Sequence, residues 1–462
     1  MKNTWTAWRY LWKSDDIRRM LLVSLGLLAI YRLAANLPVP GVDVVVLAQM
    51  RAFIAQQGNF VQFLNLLSGG TITNFSILSM GVYPYITAQI ILQLMVPIIP
   101  SLQKRMEENP TEGRKWMEKW TYYLSVPMAA LSAIGQINIF NQITLSQPNI
   151  GKKVIEFSFV GSPETILASA TVLISMIAGT MFAIWIGELI SEYGIRGQGL
   201  SLVIFAGIVA QMPSNIISIF QDQATWPIML TLMIVVILAT ILAIVYIQQG
   251  RRNVPVMYPG RRVGNRMSMP VKASMPLMVN LAGMIPLIFA SAILQFPAIL
   301  SAWFLTSTNL TVSRLAQQTQ SLFSANSATY WILYFVMVVA FTFFYTDVLF
   351  AQQNYGDNLK RAGAQIPGVE RGKRTQDYLS RVQRRITLPG ALFLGLIAIL
   401  PFIISQGLQL FGIGSLSSSS GSGLFLASSS GLLIVVGVVR DTFSVIDAEL
   451  KLHGYQDSIL VR

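Results

Sequence analysis

The stretch ILSMGVYPYITAQIILQL (residues 77–94) carries no charged residue over nearly the length that a helix needs to cross a bilayer. Apolar runs of this kind recur along the chain, and we place ten of them. They lie near residues 19–36, 75–96, 120–137, 164–186, 200–220, 227–247, 277–300, 328–350, 387–405 and 429–447. Because a backbone in contact with lipid must satisfy its own hydrogen bonds, each run is expected to be helical. The sequence therefore predicts an all-α polytopic membrane protein with ten transmembrane helices.

The composition of the chain supports this class and excludes several others. Of the 462 residues, 53% are hydrophobic and 11% are charged, whereas soluble domains carry about 25% charged residues. There is no cysteine, and the single histidine, His453, lies in the C-terminal tail. Disulfides, thiolate metal sites and histidine-based metal clusters or catalytic dyads are therefore excluded. We expect no catalytic residue, no metal ion and no cofactor.

Positive charge is distributed unevenly between the two sides of the predicted spans. Of the 33 Lys and Arg residues, those that face the side opposite the N-terminus are Arg51, Lys152, Lys153 and Arg314. Arg32 lies within the first span, where it can snorkel or pair inside the bundle, and the others lie on the side of the N-terminus. Basic loops of membrane proteins stay in the cytoplasm, so both termini are expected to be cytoplasmic.

A short apolar segment, FVQFLNLLSGG (residues 60–70), precedes the second span and is too short to cross the membrane. Its apolar positions at helical spacing are Phe60, Phe63, Leu64 and Leu67, and Gly69 and Gly70 would end such a helix. A re-entrant helix is one interpretation. An amphipathic helix on the outer surface is an equally good one, and the sequence alone does not choose between them.

Two long loops on the cytoplasmic side are strongly basic. Residues 248–276 contain six positive and no negative side chains, and residues 351–386 contain eight positive and three negative ones. Such loops often only determine topology. Other cytoplasmic connections, such as residues 187–199, are short, so the two long basic loops favour a docking surface for an acidic partner.

Three features that resemble known functional motifs have simpler explanations. GIRGQG (residues 194–199) follows a membrane span and lacks the Lys-Ser/Thr of a phosphate-binding loop, so a tight turn is the better interpretation. Glu188 and Asp347 could relay protons, but both lie near the cytoplasmic interface, where water can solvate them. The absence of a carboxylate pair in the middle of a span argues against an ion-coupled transporter.

Polar residues interrupt two of the apolar spans. Thr87 and Gln93 lie in the second span, and Asn280 lies in the seventh. Residues of this type usually hold membrane helices together. Pro84 and Pro286 are expected to kink the same two spans.

The chain resembles the SecY family of protein-conducting channels in several stretches that occur in the family's order. They are LPVPG (37–41), residues 77–94, IGELISEYGIRGQGLSLVIFAGIV (186–209), NLAGMIPLIFASAIL (280–294), FFYTDVLFAQQNYGDNLKRAGAQIPG (343–368) and TQDYLSRVQRRITLPGALFL (375–394). Together they extend over nearly the whole chain.

The resemblance implies two pseudo-symmetric halves of five spans, residues 1–223 and 224–462, in the plasma (inner) membrane. It implies a plug segment at residues 60–74 that closes the channel from outside. Four groups of residues follow from it, beginning with a pore ring of Val82, Ile86, Ile204, Ile288 and Ile434. The lateral gate residues are Thr87, Gln93 and Asn280. The plug residues are Phe60, Phe63, Leu64, Leu67, Gly69 and Gly70. The docking residues are Arg251, Arg252, Arg261, Arg262, Arg371, Lys373 and Arg374.

The implied function is transport of unfolded polypeptides across the membrane, with sideways release of transmembrane segments into lipid. The implied partners are the small SecE and SecG subunits, the SecA motor or the ribosome at the cytoplasmic loops, signal sequences and the lipid bilayer. A secondary transporter for a small solute is the alternative, and it would need a charged or densely polar site in mid-membrane. A membrane-embedded enzyme is a third candidate, but the chain offers no histidine, cysteine or acid pair within the membrane.

The chain departs from the family's usual pattern at three places. Glu370-Arg371 stands where an Arg-Pro pair is usual, and Met278 stands where a lysine is usual. The turn in GIRGQGLSL is one residue longer than the usual turn. These differences leave the expected fold intact, and the first of them bears on how a motor would be contacted.

Overall fold

The computed structural model describes residues 14–43, 45–47, 49, 75–145, 153–157, 162–221, 226–258, 262–263, 266–267, 271–304, 309–323, 327–410 and 421–452. Most of these residues are helical. The helices up to the first strand are α1 Asp15–Ala34, α2 Tyr83–Ile98, α3 Pro100–Glu108, α4 Pro110–Leu145, α5 Pro163–Tyr193, α6 Gly199–Gln221 and α7 Trp226–Gln249. The later helices are α8 Ile285–Phe304, α9 Leu310–Leu322, α10 Ala328–Gln352, α11 Tyr355–Arg361, α12 Lys373–Leu410 and α13 Gly421–Leu452.

Every predicted span overlaps one of these helices, because a run of apolar residues can be buried in lipid only with its backbone hydrogen bonds closed internally. Among the described residues, three helices are by themselves long and apolar enough to cross a membrane, and they include α5, α10 and the first part of α12. The pair α2 and α3, bent by 93°, forms a fourth candidate. The count of ten transmembrane helices stays a prediction.

The starts of the second and seventh predicted spans were placed too early. Helix α2 begins at Tyr83, eight residues after the predicted start, and α8 begins at Ile285. Pro84 and Pro286 are each the second residue of their helix, where a missing N–H costs no intrahelical hydrogen bond. The predicted kinks at these prolines are therefore wrong, and the interior proline of α8 is Pro297.

Both helices are preceded by the same short pattern, in which a glycine with positive φ stands two residues before the helix. Gly81 has φ +52° and Gly283 has φ +64°. This is the left-handed region, which glycine enters without steric cost. Asn280 consequently lies in an irregular segment before α8 rather than inside a span.

The basic loop after α7 forms a β-hairpin, which corrects the all-α prediction. Strand β1 is Arg251–Tyr258 and β4 is Val271–Met278; they pair antiparallel from Arg251↔Met278 to Tyr258↔Val271. Two short strands, β2 Arg262–Val263 and β3 Arg266–Met267, pair between them. The described part of the chain is thus mostly helical, with two small antiparallel sheets of two strands each.

The hairpin forms because one of its faces is apolar. Val254 and Val256 alternate with exposed residues along β1 and are buried. They join Leu277 of β4 in an apolar cluster with Leu379 and Val382 of α12. Strand alternation of this kind is the usual signature of a half-buried strand.

Candidate functional site

Three of the five predicted pore ring residues lie together in the structure. Val82 just before α2, Ile204 on α6 and Ile434 on α13 are all buried in one apolar cluster. Ile86 on α2 is partly buried and packs against this cluster. Ile288 on α8 is also buried, but it lies outside the cluster as described.

Val82, Ile86, Ile204 and Ile434 all have aliphatic side chains. They pack in one cluster although they come from distant parts of the chain. Aliphatic walls offer no hydrogen bond to water or to a passing peptide, so a narrow passage lined by them can close by dewetting. The arrangement suits a barrier to ions that is indifferent to the sequence of a polypeptide. The assignment of all five residues to a ring stays a prediction.

Helix α2 packs against α8 and α10 through a second apolar cluster. Ile90 on α2 shares this cluster with Ala282, Phe289 of α8 and Tyr345 of α10. The rings of Phe289 and Tyr345 meet edge to face, with 5.5 Å between their centroids. The contact between α2 and α8 is therefore apolar and has no interlocking hydrogen bonds among these residues.

The predicted lateral gate residues bond within their own segments. The hydroxyl of Thr87 donates to the carbonyl oxygen of Pro84 at 2.8 Å, and Nδ2 of Asn280 donates to the carbonyl oxygen of Gly283 at 3.2 Å. Oδ1 of Asn280 and Oε1 of Gln93 are shielded from solvent and have no hydrogen-bond partner. A shielded acceptor without a donor weakens the packed state around it, and the assignment of these residues to a lateral gate stays a prediction.

Sequence reasoning missed Thr346 on α10. It is 2% exposed, and its hydroxyl has no hydrogen-bond partner. Its neighbour Tyr345 belongs to the cluster between α2, α8 and α10. A threonine beside the charged Asp347 in the predicted span 328–350 was the available signal.

The two basic loops meet in the structure. Met257 of β1 and Gln365 of the second loop exchange both backbone hydrogen bonds, at 2.8 and 2.9 Å. Beneath this bridge, Val256 and Ile366 lie in the same apolar cluster as Leu379. The hairpin and the second loop thus form one folded unit rather than two independent loops.

The charged tip of the second loop has a defined set of contacts. Glu370 pairs with Arg374 at 3.0 Å, and Arg371 donates from Nε to Oε1 of Gln365 at 3.3 Å. Both residues of the ion pair are largely exposed, as are Arg371 and Lys373. Because Arg374 neutralises Glu370, the tip still presents a net positive charge through Arg371 and Lys373.

The remaining predicted site residues are placed as follows. Arg251 and Arg252 are exposed at the start of β1, and Arg262 lies in β2. Arg261 and the whole plug segment, including Phe60, Phe63, Leu64, Leu67, Gly69 and Gly70, lie outside the described residues. Within the described part of the chain, no group of three or more metal-ligating side chains is found.

Solved structures with a similar fold define the class of protein. A structure of a protein conducting channel is 17% identical with a TM-score of 0.59, covering 96% of this chain and 95% of that one. A SecY structure reported as showing that the plug domain stabilises the closed state of the translocation channel is 16% identical, with the same TM-score and the same coverage. An idle yeast Ssh1 complex bound to the yeast 80S ribosome is 13% identical, with a TM-score of 0.52, 96% coverage of this chain and 92% of that one. The fold is that of a protein-conducting channel.

Sequence comparison gives the family. The SecY family model matches residues 76–443. Protein translocase subunit SecY of Haemophilus influenzae is 32% identical over 448 residues, which cover 96% of this chain and 94% of that protein. The corresponding subunit of Aquifex aeolicus is 35% identical over 454 residues, with 97% and 98% coverage. The chain belongs to the SecY family of protein translocase subunits.

Proposed function

We propose that this chain is the central protein-conducting channel of a Sec translocase in the plasma membrane. It passes unfolded polypeptides across the membrane and releases transmembrane segments sideways into lipid. The observation that carries the proposal is the convergence of Val82, Ile204 and Ile434, with Ile86 beside them, in one apolar cluster. Membership of the SecY family supports the same function.

The proposed architecture has ten transmembrane helices in two halves, residues 1–223 and 224–462. The overlap of each predicted span with a helix supports the count. The Gly-x-x-Pro pattern that begins both α2 and α8, at Gly81 to Pro84 and at Gly283 to Pro286, supports the division into related halves. The uneven distribution of Lys and Arg supports cytoplasmic termini.

In the closed channel the pore ring of Val82, Ile86, Ile204, Ile288 and Ile434 excludes ions by dewetting. The plug segment, residues 60–74, closes the outer side. A polypeptide that enters displaces only apolar contacts, so the ring can admit any sequence. No step requires a cofactor or a catalytic group, and the chain acts as a passive channel rather than as an enzyme.

The lateral gate lies between α2 and α8. Their shared apolar cluster, with Ile90 and Phe289 at its centre, can be replaced by the apolar face of a signal sequence at little net cost. The hydrogen bonds of Thr87 and Asn280 described above lie within their own segments, so they need not break when the two helices separate. A sufficiently hydrophobic segment therefore competes directly with the closed gate.

The hairpin and the second basic loop form the cytoplasmic docking surface. The backbone bridge between Met257 and Gln365 supports a single surface. Its partners are the SecA motor or a ribosome. The similar fold of the yeast Ssh1 complex, which is bound to a ribosome, supports the ribosome as a partner. Exposed Arg251, Arg252 and Arg371 supply positive charge for acidic protein or RNA. SecE and SecG are the expected membrane partners.

Site-specific photocrosslinking tests the function. The full chain, purified with its associated subunits and reconstituted in vesicles, carries a photoreactive amino acid at Ile204 or Ile434. A translocating precursor arrested midway is expected to crosslink at both positions. Leu242 on α7, which is 70% exposed, is the matched control and is expected to give no precursor crosslink. Crosslinks at Leu242 but not at Ile204 or Ile434 would contradict the proposed path.

A further inference from the structure

The turn between α5 and α6 is held rigidly against two helices. The backbone N–H of Ile195 donates to the hydroxyl of Ser24 on α1 at 3.1 Å, and that of Gly199 donates to the hydroxyl of Ser191 at 3.0 Å. Gly199 lies so close to α5 that a Cβ atom there would collide with the carbonyl oxygen of Gly187. The turn is therefore anchored to both α1 and α5.

Arg196 at the tip of this turn reaches Glu449 near the end of α13. Its Nη1 lies 2.8 Å from Oε1 of Glu449, whose side chain is only 11% exposed. Below the pair, Ile195 is buried in the apolar cluster against which Val445 of α13 packs. The Arg196 side chain is 69% exposed, so solvent partly screens the pair, but the shielded Glu449 carboxylate still requires a charged or hydrogen-bonded partner.

The pair joins two elements that carry pore ring residues. Helix α6, which begins at the rigid turn, carries Ile204, and α13 carries Ile434. At about 1.5 Å per residue, Glu449 lies about 22 Å along α13 from Ile434. Because Arg196 lies in the turn that leads into α6, a separation of α13 from α6 also has to separate Arg196 from Glu449.

We propose that Arg196 and Glu449 form a clasp that stabilises the closed channel and thereby sets how hydrophobic a signal sequence must be to open it. This proposal rests on the proposed function and adds a specificity-determining pair to it. The clasp acts on the closed state alone. Loss of the clasp leaves the gate contacts of α2 and α8 in place. It lowers the energy needed to separate α13 from the turn.

Charge reversal tests the clasp in the full chain purified with its associated subunits. Arg196→Glu and Glu449→Arg each replace attraction by repulsion, and the double variant restores an ion pair with the charges exchanged. Arg18→Glu is the control, because it makes the same charge change but breaks only a pair within α1, with Asp15. The readout is export of precursors whose signal sequences form a graded series of hydrophobicity.

Each single reversal is expected to raise export of the precursor with the weakest signal about fivefold, the scale on which a partly buried ion pair shifts an equilibrium. The double variant is expected to return to the wild-type threshold, and Arg18→Glu to stay there. Unchanged thresholds in both single variants would overturn the proposal. A threshold that stays lowered in the double variant would overturn it as well.

Thermal unfolding measures the pairing independently of transport. A double-mutant cycle on Arg196 and Glu449 is expected to show coupling, with the double variant unfolding at a higher temperature than either single one. Additive effects would overturn the clasp even if export works normally. A wild-type complex that exports no precursor would contradict the proposed function, while the cycle would still decide whether the clasp exists.

Discussion

The guanidinium of Arg384 on α12 binds the carboxylate of Asp347 on α10 bidentately, from Nε to Oδ1 at 3.1 Å and from Nη2 to Oδ2 at 3.0 Å. From the sequence alone, Asp347 is one of two acids that could relay protons. A bidentate guanidinium–carboxylate pair of this geometry connects its two helices in a defined orientation. The geometry therefore assigns Asp347 to joining two helices.

Asp347→Asn is expected to leave translocation essentially unchanged. Both side chains are more than a third exposed, so solvent screens the pair and the loss of unfolding free energy should be at most about 1 kcal/mol. Precursor export and thermal unfolding check these two expectations. Loss of export with unchanged stability would restore a direct role of this carboxylate in transport.

Replacing Ile204 and Ile434 together by serine is expected to make the closed channel leak ions. Hydroxyls in place of aliphatic groups hold water in the constriction, so dewetting fails. Single-channel recording in planar bilayers measures the leak. Leu242→Ser, on the exposed face of α7, should leave conductance at the wild-type level. Equal leak from Leu242→Ser would show that the effect is not specific to the cluster.

Thr346→Val is expected to stabilise the closed protein, by about 1 kcal/mol in unfolding free energy, because it removes a buried hydroxyl that has no partner. Thr342, one turn earlier on α10, is equally buried, but its hydroxyl donates to the carbonyl oxygen of Val338 at 2.7 Å. Thr342→Val should therefore give no gain. Thermal unfolding of the two variants compares them directly, and equal gains would contradict the explanation.

Arg371→Glu is expected to weaken binding of the motor or ribosome about tenfold, the scale of one charge-assisted contact. Arg371 carries the exposed guanidinium at the loop tip, while Glu370 is already neutralised by Arg374. Arg314→Glu on α9 makes the same charge change on the side predicted to face outward. Binding to vesicles that contain the full complex measures both.

Normal membrane insertion of both variants is part of this comparison. If Arg371→Glu binds its partner as the wild type does, and Glu370→Arg does so too, the loop tip is not the contact. The charges would then serve topology alone.

The position of each apolar helix could be predicted because lipid imposes both length and composition on it. The starts of α2 and α8 could not be predicted, because a Gly-x-x-Pro pattern is compatible both with a kink inside a helix and with a helix start. Only the positive φ of Gly81 and Gly283 distinguishes the two. Asn280 was consequently assigned to a span when it lies before one.

The hairpin was missed because its arginines and prolines read as a solvated, helix-breaking loop. The alternation of Val254 and Val256 was present in the sequence, but its apolar partner, Leu379, lies more than a hundred residues away. The pair of Arg196 and Glu449 is equally remote. Packing between distant segments decides such features, and a single sequence records only local patterns.

The bridge between Met257 and Gln365 is made by backbone atoms, and the apolar cluster that contains Val256 and Ile366 supports it from below. The arginines around it can change without unfolding the platform that displays them. Because the hairpin and the second loop share this bridge, an exchange of docking surfaces between relatives should replace both segments together rather than one of them.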